Sequence, residues 1–188
     1  LKELSPQTLI LCPTRELCLQ ISGDLTDYSK YIDDIKILPV YGGSSIDSQI
    51  RSLKRGVHII VATPGRLLDL IKRKTVSLDN VHTVVLDEAD EMLNMGFTED
   101  LDEILSYVPT TRSMLLFSAT MPKGIDRITR KYMKDPMEIT IGRKNEGALN
   151  VRHIYYVVHA KDKYLALKRI VDFYPNIYGI IFCRTRRE

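Results

Sequence analysis

Short, continuous apolar runs alternate along this chain with stretches whose apolar residues recur every three or four positions. The first run, residues 8–12 (TLILC), does not alternate with polar residues. That pattern suits a strand buried on both faces. Residues 14 to about 30 follow, with Leu17, Ile21, Leu25 and Tyr28 at helical spacing. By the same reading, strands are predicted over 35–41, 58–62, 83–86, 113–117 and 137–141. Helices are predicted over 46–55, 64–73, 88–94, 98–108 and 123–133. Strand and helix in repeated succession argue for an α/β fold, a mostly parallel sheet with helices on both faces.

Residues 142–150 (GRKNEGALN) interrupt this rhythm. They are polar, hold two glycines and read as a linker. A strand over 153–159, a helix over 161–174 and a strand over 178–183 then form a new β-α-β start. The expected organisation is a first domain over 1–141, a linker over 142–150 and the opening of a second domain over 151–188.

Composition leaves this picture unchanged. Of the 188 residues 44% are hydrophobic and 27% charged, the balance of a water-soluble globular chain. No apolar run reaches the length of a membrane span, and no signal-peptide pattern opens the chain. Cys12, Cys18 and Cys183 are odd in number and lack CxxC spacing, so they read as reduced thiols of a cytoplasmic protein. The chain opens on Leu1 and closes on Glu188, and neither end reads as a natural terminus.

Charge does change the picture. Residues 87–103 hold eight acids and no Lys or Arg. That segment carries −8 within a net charge of +3, which leaves +11 on the rest of the chain. A basic body suits a polyanionic partner. The acids at 99–103 read as a solvated helix face.

In open α/β sheets ligands gather at the carboxyl ends of the strands, so the residues leaving each strand are the candidates. Pro13, Thr14 and Arg15 leave the first strand, Gly42 and Gly43 the second, and Thr63, Pro64, Gly65 and Arg66 the third. Thr and Pro suit a helix start, and a helix start with an Arg beside it also suits a phosphate. Glycines let backbone N–H groups approach an anion. Asp87, Glu88 and Asp90 leave the fourth strand. Acids cap a helix, but three in four residues repel one another unless a cation sits among them. Mg²⁺ carried in by a nucleotide resolves that conflict, with one carboxylate holding the metal through water and a neighbour activating the attacking water. Ser118 and Thr120 leave the fifth strand, where small hydroxyls can hold the carboxylates in place.

The segments PTRELCLQ (13–20), YGG (41–43), TPGR (63–66), LDEAD (86–90) and SAT (118–120) occur in the order and spacing of DEAD-box ATP-dependent RNA helicases. MLNMGF (92–97) and IIFCRTRRE (180–188) resemble that family too. The resemblance covers essentially the whole chain and is of a bacterial, cold-shock-like flavour. It implies an incomplete first RecA-like domain and the start of a second, with ATP and Mg²⁺ as cofactors. Asp87 looks like the metal carboxylate and Glu88 like the general base of ATP hydrolysis, both on the nucleotide. Asp90 resembles the acid that bonds Ser118 and Thr120 and couples hydrolysis to strand separation. Thr14, Arg15, Gly43, Thr63, Gly65 and Arg66 resemble contacts to the RNA backbone, and the helix after Arg66 resembles a wedge that bends one strand. Weak sequence preference follows. Ribosomal or mRNA-decay assemblies are the partners this flavour of the family implies.

The family's Q motif, glycine-rich phosphate loop and arginine-finger motifs do not occur in these 188 residues. The chain therefore reads as a piece of a longer helicase, inactive by itself and poorly stable. The family's central first strand is expected to be missing, which would leave two inner strand edges unpaired. The alternative function is an RNA-binding module without ATPase activity. A DNA translocase is disfavoured by TPGR and the DEAD tetrapeptide.

Overall fold

The computed structural model describes residues 4–141 and 151–183. The chain divides into two compact units, Leu1–Glu146 and Gly147–Glu188.

The first unit is an α/β sheet built in chain order. Strand β1 (Thr8–Leu11) leads to helix α1 (Arg15–Tyr28), β2 (Ile37–Val40) to α2 (Ile46–Lys54), and β3 (Ile59–Ala62) to α3 (Pro64–Lys72). Strand β4 (Thr83–Leu86) leads to the short α4 (Ala89–Asn94) and then α5 (Thr98–Ser106), and β5 (Ser113–Leu116) to α6 (Lys123–Tyr132). All five strands are parallel, in the order β2-β3-β1-β4-β5. The register is level: Val40, Ala62, Leu11, Leu86 and Leu116 form one row across the sheet. Every strand exit therefore opens on one edge.

Alternate strand residues serve opposite faces. Leu9 and Leu11 join the larger core with Leu67 and Leu70 of α3, Met92 of α4, Leu101, Ile104 and Leu105 of α5, and Ile125 and Ile128 of α6. Each such fully buried aliphatic side chain contributes about 1.5–3 kcal/mol of transfer free energy. Ile10, Cys12 and Val61 face the other way, onto Cys18 of α1 and its neighbours Leu17, Ile21 and Leu25. That second face is covered on the β1–β3 side and open at β5, where Leu115 is exposed.

Three expectations fail here. The sheet has no interior gap, because each of the five strands hydrogen-bonds its neighbour in the order β2-β3-β1-β4-β5 without a break. Its edge strands are the outer ones, β2 and β5. The apolar run 137–141 forms no strand; Met137 is 86% exposed and Ile141 98%. A strand is stabilised by its ladder, and this run has no ladder partner among the described residues.

Among its described residues the second unit, by itself, holds one short 3₁₀ turn (Ala160–Asp162) and helix α7 (Lys163–Phe173). Among the described residues the runs 153–159 and 178–183 are not paired as strands. Their apolar side chains are exposed, Val157 and Phe182 among them. Two apolar runs and one helix enclose too little volume to exclude water, so periodicity alone does not order them. The predicted linker, 142–150, lies outside the described residues.

Candidate functional site

The strand order sorts the exits by chemistry. Those of β2, β3 and β1 lie side by side and carry Gly42–Gly43, Thr63–Arg66 and Pro13–Arg15. Those of β4 and β5 adjoin them and carry Asp87–Asp90 and Ser118–Thr120. Backbone bonds one residue past the strands tie the exits together: Thr63 N–H to Val40 O (2.9 Å), Cys12 N–H to Ala62 O (3.0 Å), Asp87 N–H to Leu11 O (2.9 Å) and Phe117 N–H to Leu86 O (2.8 Å).

On the first side, Pro13 is buried and Thr14 caps α1, its Oγ1 accepting from Leu17 N at 3.2 Å. Arg15 is exposed, with its guanidinium 5.1 Å from the centre of the Tyr41 ring. Gly43 turns the chain with φ +82°, a conformation that favours glycine, and Arg15 Nη1 lies 3.8 Å from where a Cβ would stand. Thr63 stands at the N-cap of α3 with extended backbone, and its hydroxyl makes no capping bond. Pro64 fills the first turn, where a missing N–H costs nothing. Gly65 is exposed and Arg66 half-buried. Arg66 Nη1 donates to Ser44 O (3.1 Å) and to Gln49 Oε1 (3.3 Å). Among the described residues no carboxylate forms an ion pair with Arg15 or Arg66.

On the second side the chain leaves β4 through a strained turn. Glu88 sits at φ 48°, ψ 50°, left-handed and at the N-cap of α4. A non-glycine residue there costs about 1 kcal/mol or more. The turn is held by Asp87 Oδ1, which accepts from Glu88 N–H at 3.0 Å, and by Ala89 N–H, which donates to Phe117 O at 3.0 Å. It leaves the Glu88 side chain exposed and Asp87 half-buried. Asp90 turns inward and is only 9% exposed. Its Oδ2 accepts from Thr120 Oγ1 (2.6 Å) and Thr120 N–H (2.9 Å), and its own N–H donates to Ser118 Oγ (3.3 Å). Ser118 Oγ in turn donates to Thr120 O at 2.6 Å. Burial pushes the Asp90 carboxyl up, but the bonds from the Thr120 and Ser118 hydroxyls and the Thr120 and Glu91 amides outweigh it and hold the carboxyl below its ordinary value.

Asp87, Glu88 and Ser118 are among the residues lining a cleft of about 620 Å³, as are Met137 and Ile139. The described residues contain no cluster of three side chains able to hold a metal. One half-buried carboxylate with an oxygen to spare suits Mg²⁺ that arrives with its own phosphate and water ligands, and does not suit a resident metal cage.

Two further acids of the 87–103 run are structural. Asp102 pairs with Arg127 (3.4 Å) and Lys131 (3.3 Å) and accepts from Tyr132 Oη at 2.8 Å, while Glu103 pairs with Lys72 at 3.0 Å. The acidic face of α5 is thereby tied to α3 and α6. Sequence reasoning missed Gln49, a buried polar residue of α2 that reaches across the first side. Its only sequence signal is a polar residue one turn after the Ser45 cap, which does not single it out.

The fold is similar to the crystal structure of a DEAD box protein from the hyperthermophile Methanococcus jannaschii, with a TM-score of 0.68 and 42% identity over 97% of this chain and 48% of that one. A parallel α/β sheet of that kind, acids at one exit and small hydroxyls at the next, defines the class. The chain belongs to the DEAD/DEAH box helicase family, whose model matches residues 1–128. It is 46% identical over 187 residues to the DEAD-box ATP-dependent RNA helicase CshA of Geobacillus kaustophilus, covering 100% of this chain and 40% of that protein. It is 49% identical over 187 residues to the ATP-dependent RNA helicase CshA of Listeria monocytogenes, covering 100% of this chain and 36% of that protein. The chain thus spans well under half the length of these relatives.

Proposed function

We propose that this chain is part of an ATP-dependent RNA helicase that uses Mg²⁺-ATP hydrolysis to separate short RNA duplexes. The observation that carries this reading is the division of one sheet edge into a basic half and an acidic half. A strand of phosphates would lie along the exits of β2, β3 and β1. There Arg15 and Arg66 supply charge, and the Gly42–Gly43 turn and the start of α3 supply backbone donors. None of these groups discriminates among bases, so sequence preference is weak. The nucleotide would meet the exits of β4 and β5.

Asp87 would hold the Mg²⁺, which when bound neutralises charge on the phosphates. Glu88, exposed at its strained turn, would take the proton from the attacking water. Its carboxylate is turned outward by the left-handed turn and has no hydrogen-bond partner among the described residues. Asp90 is sequestered by Thr120 and Ser118 and is unsuited to proton transfer. Its role would be to tie the α4 turn to the β5 exit, so that a change at one moves the other. The 188 residues contain no glycine-rich phosphate loop, so they are proposed to be inactive without further chain. The names of the similar proteins support the reading, as does the family. The division into a first domain over 1–141, a linker over 142–150 and a second-domain start over 151–188 belongs to the same proposal.

The test is ATP hydrolysis by the full-length protein that carries this chain, with and without single-stranded RNA. Stimulation by RNA is expected. Tight RNA binding with no hydrolysis in either condition would favour an RNA-binding module instead.

A further inference from the structure

Gln49 is 5% exposed, and every polar atom of its side chain is engaged. Its Nε2 donates to Tyr41 O (3.1 Å) and to Ser44 Oγ (2.6 Å). Its Oε1 accepts from Arg66 Nη1 (3.3 Å), which also donates to Ser44 O (3.1 Å). One carboxamide thus closes the turn that carries Gly42 and Gly43 and reaches the first turn of α3. The partners dictate which end is which, because two acceptors face the nitrogen and a guanidinium faces the oxygen. Glutamate would keep the acceptor and lose both donors. Methionine would match the length and lose everything polar. Asparagine would keep both groups but draw them back by one methylene.

The arrangement has a consequence for Arg66. Its guanidinium carries five N–H donors, and Nη1 is spent inward on two acceptors. Neither acceptor is a carboxylate, so the positive charge is oriented without being neutralised. A cation fixed before its anion arrives loses less freedom on binding. An aspartate or glutamate in the same place would fix Arg66 equally well and cancel its charge.

We infer that Gln49 is a positioning residue for RNA binding: it aims Arg66 and sets the Gly42–Gly43 turn so that both meet the same stretch of phosphate backbone. This rests on the RNA reading of the basic half given above. The experiment uses the full-length protein and a fluorescent single-stranded oligouridylate, with affinity measured across a range of salt. The variants are Gln49→Met, Arg66→Ala and the two combined. Gln49→Met is expected to bind RNA about fivefold to tenfold more weakly, the scale of one or two lost hydrogen bonds. Its log–log salt slope should fall toward that of Arg66→Ala, by about 0.7 for one lost phosphate contact. The combined variant should bind less weakly than the product of the single losses predicts, because both act through one guanidinium. A side chain that only supports the fold would lower the melting temperature and leave the salt slope alone. Where Gln49→Met fails to melt cooperatively, Gln49→Asn takes its place, with the same coupling at smaller size. If Arg66→Ala leaves RNA affinity and salt slope unchanged, the RNA reading of this half fails. If Arg66→Ala weakens binding while the Gln49 variant does not, or if the two losses multiply in full, the inference about Gln49 fails and the RNA reading stands.

Discussion

The two halves of the sheet's carboxyl edge solve opposite electrostatic problems with different means. In the β2–β3–β1 half, two arginines stand without acidic partners among the described residues, and the backbone relaxes into positive φ only at a glycine, Gly43. In the β4–β5 half, three carboxylates leave one strand, and positive φ falls on one of them, Glu88. The acids do not all compete for one cation. Asp90 is drawn inward by Thr120 and Ser118, Asp87 is half-buried against the Glu88 amide, and Glu88 is turned outward. Charge repulsion at a strand exit can thus be relieved by sending neighbouring side chains in different directions. The basic half needs no such device, since its arginines come from separate exits and are held apart by Tyr41, Ser44 and Gln49.

The strongest way to break the contrast is Glu88→Gln. It removes a proton acceptor and little else, since Glu88 is exposed and caps nothing with its side chain. ATP hydrolysis by the full-length protein should fall by about two to four orders of magnitude, with ATP and RNA binding retained. Steady-state turnover and binding measured on one preparation check this. Undiminished turnover would remove Glu88 from the chemistry and leave the acidic half a structural cap.

Ser118→Ala with Thr120→Ala tests the link between the β4 and β5 exits. Unwinding should drop by about an order of magnitude or more, while RNA-stimulated ATPase persists, because the bonds lost are those to Asp90 and not those of Glu88. Parallel loss of both activities would make the hydroxyls mere supports of the active site. The same variant has a pH signature. The Asp90 carboxyl is held low in the folded protein. Its stabilisation is therefore complete above the unfolded value, near about 3.9, and is lost as pH falls through the lower folded one. Without the hydroxyls the folded value rises toward the unfolded one, and acid denaturation followed by circular dichroism should depend less steeply on pH at the acid end.

Arg66→Ala probes the other half and should have a smaller effect. RNA affinity should fall about threefold to tenfold, equally for unrelated sequences, and the salt slope should flatten by about 0.7. Competition among oligonucleotides of different sequence at fixed salt checks this. A changed sequence preference would turn a backbone contact into a base contact.

Much of this arrangement was legible in sequence, for reasons that can be named. Runs such as 8–12, 58–62 and 83–86 are apolar throughout because both faces of a central strand are covered, and they fold where periodicity put them. The runs 153–159 and 178–183, and the alternating 137–141 (MEITI), also read as strands in sequence but are exposed. Strand formation depends on a partner strand, which no local pattern encodes. At the site, the exit motifs stand out because they break the surrounding apolar pattern. Gln49 does not, because its partners are 5, 8 and 17 residues away and meet only once α2 and α3 are packed. The left-handed turn at Glu88 is equally silent, since positive φ is read from Gly or Asn and glutamate gives no such sign.

That silent turn gives the smallest and most symmetrical test. Both halves carry one exit residue in the left-handed region, Gly43 at φ 82° and Glu88 at φ 48°. Adding a side chain to the first and removing it from the second should shift stability in opposite directions. Gly43→Ala meets no steric obstacle, since the nearest atom to its Cβ is Arg15 Nη1 at 3.8 Å, so its cost is that of the backbone alone. That cost is about 1 kcal/mol of destabilisation. Glu88→Gly relieves a comparable strain and should stabilise by up to about 1 kcal/mol, part of which is returned as greater freedom of the unfolded chain. In the full-length protein the melting transition of the domain that carries these residues should fall by about 2–4 °C in the first variant and rise by less in the second. Chemical denaturation with an unchanged dependence on denaturant would place both effects in the folded state's stability. The two variants should also part in function, with Gly43→Ala disturbing RNA binding and Glu88→Gly abolishing hydrolysis while the fold becomes firmer. A Glu88→Gly protein that melts lower than the parent would mean that the Glu88 side chain stabilises its turn, and the acidic half would then hold no strain in reserve at its reactive residue.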